Sequence, residues 1–235
     1  MSNMENNMRF IAECGLNHNG NLDLLFEMIK QAKWAGATDA KFQLGWRAKP
    51  GEMNHIDSSR VKDLIDFCNY MEINPLFSIF NFDAYNIVEA FNMPEFKIAS
   101  RTVKENPDLI NSLLDAEKKL IISLGMWDKD ELPFGPSDQI NYLWCIAKYP
   151  VLPIDLVGMP KSFLSSKYSG YSDHTLGIEA GLLSIARGAE IIEKHFTLDK
   201  SDTTIRDHAL SATPDEFSSL TSLGKEIYKL VHNGS

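Results

Sequence analysis

The sequence predicts a single (β/α)8 barrel, a TIM barrel, formed by one domain over residues 1–235. Three observations carry this prediction. Short apolar runs alternate with segments of helical periodicity along the whole chain, eight times in all. The runs are apolar throughout rather than alternating, as parallel strands covered on both faces must be. No G-x-G-x-x-G follows the first run, which disfavours the runner-up, a doubly wound open sheet with a dinucleotide loop.

Arg9 to Leu16 is the first strand region, closed by the turn cluster Asn17-His18-Asn19-Gly20. Asn21 caps a helix with apolar positions Leu22, Leu25, Ile29, Ala32 and Ala35, stopped by Gly36. Asp39 to Leu44 is strand two, and a polar loop runs from Gly45 to Ile56. Val61, Leu64, Ile65, Cys68 and Met71 mark helix two. Leu76 to Phe80 and Phe96 to Ser100 are strands three and four, with a helix at Ala84 to Phe91 between them.

Asn106-Pro107-Asp108 opens the next helix with a cap, an N1 proline and a first-turn acid. Leu120 to Leu124 is strand five. Residues 127 to 139 are polar with two prolines, so helix five is short or absent. Tyr142 to Ala147 is strand six, and Pro150 to Ser166 is irregular with room for one short helix. Strand seven runs up to His174, a helix spans Gly177 to Arg187, and strand eight is Ile191 to Leu198. Thr213-Pro214-Asp215-Glu216 is a capping box that opens the final helix.

Composition narrows the function classes. Apolar residues make up 44% and charged residues 23%, an ordinary globular balance. A formal net charge of −9 disfavours nucleic-acid binding, which draws its affinity from Lys and Arg on phosphates. The three cysteines, Cys14, Cys68 and Cys145, are far apart with no C-x-x-C, so a cytoplasmic setting is expected. No apolar run is long enough for a membrane span.

Against this apolar background, the polar residues inside the strands stand out. Residues two apart on a strand share a face. Lys41 and Gln43 do so on strand two, Ser172 and His174 on strand seven, and Glu193 and His195 on strand eight. Glu13 and Lys97 lie in strands one and four, and Ser100 and Ser123 lie at strand ends. A lone buried lysine can simply pair with a glutamate, and a lone histidine can be a hydrogen-bonded core residue. Several inward charges at one barrel end ask for a ligand, because burying a charge costs several kcal/mol even after relaxation. Two lysines and several hydroxyls suit a phosphate plus a carboxylate. Two neutral imidazoles suit a divalent metal acting as Lewis acid on a carbonyl. Glu13 and Asp207 are placed to handle protons or substrate hydroxyls.

The motifs I-A-E-C-G-L-N-H-N-G (11–20), A-G-A-T-D-A-K-F-Q (35–43), F-K-I-A-S (96–100), I-I-S-L-G-M (121–126), G-Y-S-D-H-T-L-G-I-E-A (170–180) and E-K-H-F-T-L-D (193–199) follow one another over nearly the whole chain, with Asp207-His208 beyond. In these motifs the sequence resembles the N-acetylneuraminate (sialic acid) synthase family, NeuB-like. The resemblance implies a TIM barrel that condenses phosphoenolpyruvate with a sugar aldehyde such as N-acetylmannosamine. The product is a 2-keto-3-deoxy sugar acid, with phosphate released. It implies a divalent metal, manganese first, with magnesium or cobalt as alternatives.

Carried over by position, His174 and His195 match the metal ligands. Lys41, Ser78, Lys97, Ser100, Ser123 and Ser172 match positions that hold phosphoenolpyruvate. Gln43, Tyr149, Glu13 and Asp207 match positions facing the sugar or its carbonyl oxygen.

The pattern departs from the family at several places. Thr102 stands where an acid is usual, Leu124 replaces a threonine, Ala147 replaces an asparagine, and the loop after strand two is short. No antifreeze-like (SAF) stretch is recognised after the last helix, so the barrel alone is expected, and any homo-oligomer would not use the family's usual exchange of that domain. A related aldolase or lyase, or a metabolite-binding protein that needs a partner, is the alternative to a synthase.

Overall fold

The computed structural model describes residues 8–232. Eight parallel strands close into a barrel in sequence order: β1 (Arg9–Glu13), β2 (Asp39–Leu44), β3 (Asn74–Ile79), β4 (Glu95–Ile98), β5 (Lys119–Ser123), β6 (Ile140–Cys145), β7 (Gly170–Asp173) and β8 (Ile191–His195). β8 returns to pair with β1, Glu13 lying opposite His195. The predicted TIM barrel is therefore the observed fold.

The helices are α1 (Leu22–Trp34), α2 (Ser58–Tyr70), α3 (Phe82–Glu89), α4 (Ser100–Glu105), α5 (Pro107–Asp115), α6 (Glu179–Ala186), α7 (Asp207–Leu210) and α8 (Pro214–His232). Asn21, Asp57 and Asn81 cap α1, α2 and α3 through their side chains. No helix lies between β5 and β6, and only a 3-10 helix, Pro153–Gly158, lies between β6 and β7, as the proline-rich sequence there predicts. No described helix is long and apolar enough to cross a membrane.

The strands' two faces have different jobs. Outward residues such as Phe10, Phe42, Phe77, Phe96 and Phe196 are buried against the helices in the main core. Inward residues stack in layers. Arg9 bonds Asp39 at 2.5 Å and Glu95 at 3.0 Å at the barrel's N-terminal end. Above them Ile11, Leu76, Ile121, Leu143 and Ile191 form a separate apolar plug. One pleat further toward the strands' C-terminal ends, the inward residues become polar.

Several boundaries differ from the sequence expectation, the first at strand one, which stops at Glu13 and not at Leu16. Strand four stops at Ile98, its last residue paired with β5, so Ser100 opens α4 instead of ending a strand. Strands six and eight stop at Cys145 and His195, where the chain turns out of the ladder. Helices α4 and α7 are too short to carry a 3.6-residue apolar repeat and escape a periodicity reading.

Of the described glycines, Gly170 leaves the least room for a side chain. A Cβ there would sit 1.9 Å from the Ile191 carbonyl oxygen, in a strand that cannot yield. Gly170→Ala is expected to destabilise the fold by about 3 kcal/mol or more. Urea denaturation of the variant beside the wild type checks this, and an unchanged midpoint would count against the tight β7–β8 contact.

Candidate active site

A cavity of about 770 Å³ opens at the C-terminal end of the barrel. All twelve residues singled out from the sequence line it: Glu13, Lys41, Gln43, Ser78, Lys97, Ser100, Ser123, Tyr149, Ser172, His174, His195 and Asp207. This is where the fold collects side chains from several strand ends.

The floor is a buried charge network. Lys41 Nζ lies 3.0 Å from both Glu13 Oε2 and Glu193 Oε2. Lys97 Nζ donates to Ser123 Oγ at 2.7 Å and lies 3.8 Å from Glu193 Oε1. Ser172 Oγ donates to Glu193 at 2.8 Å, and Gln43 Nε2 donates to Glu13 at 2.5 Å.

Burial drives the proton affinities of this network apart. It lowers the Lys97 ammonium to about 8, against the pull of Glu193. It acts to raise the Glu193 carboxyl, but Lys41, Lys97 and the Ser172 bond outweigh it and hold that group at about 2. Burial and the charge of Glu193 outweigh Lys41 and the Gln43 hydrogen bond at Glu13, and its carboxyl is raised.

The two histidines stand above this floor. His174 Nδ1 donates to the Ile146 carbonyl at 2.8 Å, which leaves the Nε2 lone pair free. Burial pushes the His195 imidazole down to about 4, so it is neutral near pH 7. Its Nδ1 is buried with no hydrogen-bond partner. The rings are 5.4 Å apart, and Tyr149 stacks on His174 at 4.2 Å. Arg206 lies over the Tyr149 ring at 4.6 Å.

Neighbouring loops lock these groups in place. His208 Nε2 donates to Asn19 Oδ1 at 2.9 Å, and its Nδ1 shares a hydrogen bond with Thr197 Oγ1 at 2.7 Å. Asn17 Nδ2 donates to the Phe196 carbonyl at 2.9 Å and to Ser211 Oγ at 2.8 Å. The turn after β1 thereby holds α7, which carries Asp207. On the other side, His18 Nε2 donates to Asn54 Oδ1 at 3.1 Å, and Asn54 Nδ2 donates to the Gln43 carbonyl at 2.7 Å.

Strand alternation separates chemistry from architecture within single motifs. Asp173 and Lys194 face outward between Ser172/His174 and Glu193/His195, and pair at 3.2 Å in full burial. Asp173 also accepts from Tyr171 and Thr175, and Lys194 donates to the Thr175 carbonyl.

Sequence reasoning left Glu193 out of the site, although its face-sharing with His195 was the signal that could have placed it there. It also left out most of the rim, where Trp46, Phe80, Arg101, Lys104 and Lys148 line the cavity from loops and helices. No strand period reaches those residues. Thr102 is buried in α4 and does not line the cavity, and its hydroxyl has no partner.

The Glu193 carboxylate should leave a pH signature. Its folded value of about 2 lies below the ordinary 4.5. The stability it contributes is therefore present above about pH 4.5 and lost as pH falls toward 2. The stability difference between wild type and Glu193→Gln, read from urea denaturation, is expected to be constant above pH 5 and to shrink below it. A difference flat down to pH 2.5 would refute the paired carboxylate.

Comparison with known proteins agrees with this geometry. The NeuB family model matches residues 49–235. The chain is 30% identical to the N,N'-diacetyllegionaminic acid synthase of Campylobacter jejuni, over 95% of this chain and 77% of that protein. It is 29% identical to the N-acetylneuraminate-9-phosphate synthase of Mus musculus, over 89% of this chain and 67% of the mouse protein. Among solved structures, the N-acetylneuraminic acid synthetase of Leptospira borgpetersenii, crystallised with citrate, superposes with a TM-score of 0.86 at 29% identity, covering 100% of this chain and 90% of that one. The residues that line the cavity and the match over four-fifths of the chain lead to one conclusion: this chain belongs to the NeuB family.

Proposed function

We propose that this protein condenses phosphoenolpyruvate with a sugar aldehyde and water, giving a 2-keto-3-deoxy sugar acid of the nonulosonate type and inorganic phosphate. The observation that carries this reading is the meeting, in one cavity, of a lysine-and-serine floor with a pair of neutral imidazoles. The synthases named among its relatives support the same reaction class.

The floor suits a ligand with a phosphate and a carboxylate. Lys97 donates to Ser123 Oγ, and Ser100 Oγ accepts from the Gly125 amide at 2.8 Å. Both serine hydroxyls thus keep their own protons for ligand oxygens. Ser78 adds a third hydroxyl. The Ser172 proton is engaged by Glu193, so Ser172 serves the ligand by turning or by fixing Glu193. Glu193, set between the two lysines, keeps both ammonium groups at the floor and screens their repulsion.

In the condensation the ligand's methylene carbon forms a bond to the aldehyde carbon, and the aldehyde oxygen takes up a proton. Glu13, whose proton affinity is raised by burial, is the group in this reading that exchanges that proton with the ligand. Water then adds at the carbon that bears the phosphate oxygen, and phosphate departs. Gln43 fixes the orientation of Glu13, Tyr149 offers a flat face to the sugar, and Asp207 offers acceptor oxygens to its hydroxyls.

A divalent cation, manganese first and magnesium or cobalt as alternatives, would be held by His174 and His195 and would act as a Lewis acid on the aldehyde carbonyl. The residues fit it. One imidazole has a free Nε2 lone pair and the other an orphaned buried Nδ1, and burial favours the neutral, ligating form of His195. Among the described residues no group of three or more His, Cys, Asp or Glu side chains could hold a metal ion, so two protein donors would leave positions open for substrate.

Phosphate release from phosphoenolpyruvate, assayed with manganese and a panel of aldoses, tests the reading. Release is expected to depend on the aldose and on the cation, falling with a chelator and returning with added manganese. His195→Ala is expected to lower kcat/KM by about 100-fold or more. A folded protein that releases no phosphate with any acceptor would overturn the synthase reading.

A further inference from the structure

His174 and His195 are anchored differently. His195 closes β8 and still lies in the ladder with β1, opposite Glu13. His174 lies just beyond β7, whose last residue is Asp173. The last register pair between β7 and β8 is Asp173 with Lys194, the residues just before the two histidines. Past it the two chains part. The His174 carbonyl accepts from the Val151 amide at 2.9 Å, and the His195 carbonyl accepts from the Ala212 amide at 2.7 Å.

Side chains take over where this register stops. Asp173 and Lys194 are fully buried on the outer face of the barrel, and neither lines the cavity. Gly181 of α6 leaves room for them, since a Cβ there would stand 3.8 Å from Asp173 Oδ2. Lys194 Nζ lies 3.2 Å from Asp173 Oδ2 and donates to the Thr175 carbonyl at 2.5 Å. Asp173 Oδ1 accepts from the Thr175 amide and from its hydroxyl, both at 2.7 Å, which closes a tight turn around His174. The residues on either side of His174 are thus both tied to the residue before His195. Stability alone does not call for such a knot. A buried ion pair gains little over an uncharged pair of similar volume, because desolvating both charges offsets their attraction. What the charges add is direction, and a surrounding shell that orients ligating imidazoles raises their affinity for a metal.

We propose that Asp173 and Lys194 are positioning residues that set the placement of His174 relative to His195, and with it the affinity of the imidazole pair for a divalent cation. This rests on the cation reading above and adds to it two residues that act from behind the strands, through the histidines, without touching a ligand.

The test uses the double variant Asp173→Asn/Lys194→Met. It removes both charges and the Lys194 bond at similar side-chain volume, and an amide oxygen remains to accept from Thr175. Manganese binding without substrate, followed by the electron paramagnetic resonance signal of the free ion, is compared in the wild type, the double variant and His195→Ala. The double variant is expected to match or exceed the wild-type urea midpoint. It is expected to bind manganese about 10- to 100-fold more weakly. Equal affinity in the double variant and the wild type overturns the inference and leaves the cation reading standing. A lowered urea midpoint overturns it too, whatever the binding, since the pair is then a stability element. If the wild type and His195→Ala bind manganese alike, the cation reading falls and this inference with it, while phosphate release measured with a chelator still tests the condensation by itself.

Discussion

The buried ion network of Glu13, Lys41, Glu193 and Lys97 is the constraint on which this barrel is built. Four charges sit inside a closed ring of strands with almost no exposure to water. None is tolerable alone, since an unpaired charge at such depth costs several kcal/mol. Together they require β1, β2, β4 and β8 to hold one register, because the ion pairs run across neighbouring and facing strands. The apolar plug beneath them keeps water from the N-terminal side and preserves the low dielectric that makes the pairing strong.

The same network shapes the chemistry. Lys97 and Glu13 face opposing demands, and both are pushed toward their neutral forms, while Glu193 stays ionised between its lysines. Acid and base character are thereby separated among groups only a few ångströms apart. An incoming dianion would relieve the floor by giving the lysines new partners. The site is thus stable without ligand yet primed to exchange internal ion pairs for external ones.

A second layer of polar contacts makes the cavity mouth rigid on one side. The turn after β1 reaches α7 through Asn17, Asn19 and His208, and reaches β2 through His18 and Asn54. This explains in physical terms why the N-H-N-G turn and the D-H pair, nearly two hundred residues apart, belong to one functional unit. The opposite side lacks a full helix between β5 and β7 and is covered instead by loops and a 3-10 helix. From there Tyr149 reaches back across the mouth, stacked on His174 and covered by Arg206 beside α7.

What the sequence determined by itself was set by short-range rules. The eight apolar runs, the caps at Asn21 and Thr213 and the two-residue alternation suffice for the barrel and for the inward-facing residues from Glu13 to His195. Alternation also implied, correctly, that Ser172 and His174 share a face, and that Glu193 joins His195. Only the tertiary structure decided which of these charges meet. A strand's period says which way Lys41 points, but the distance to Glu193 depends on barrel closure, which brings β8 beside β1. Periodicity reaches none of the rim residues, because loops and one-turn helices carry none; Tyr149 and Asp207 were legible only through the family resemblance, and Trp46, Arg101 and Lys104 not at all. The floor of the site is therefore legible as local pattern, and its mouth only as motif resemblance or as three-dimensional contact.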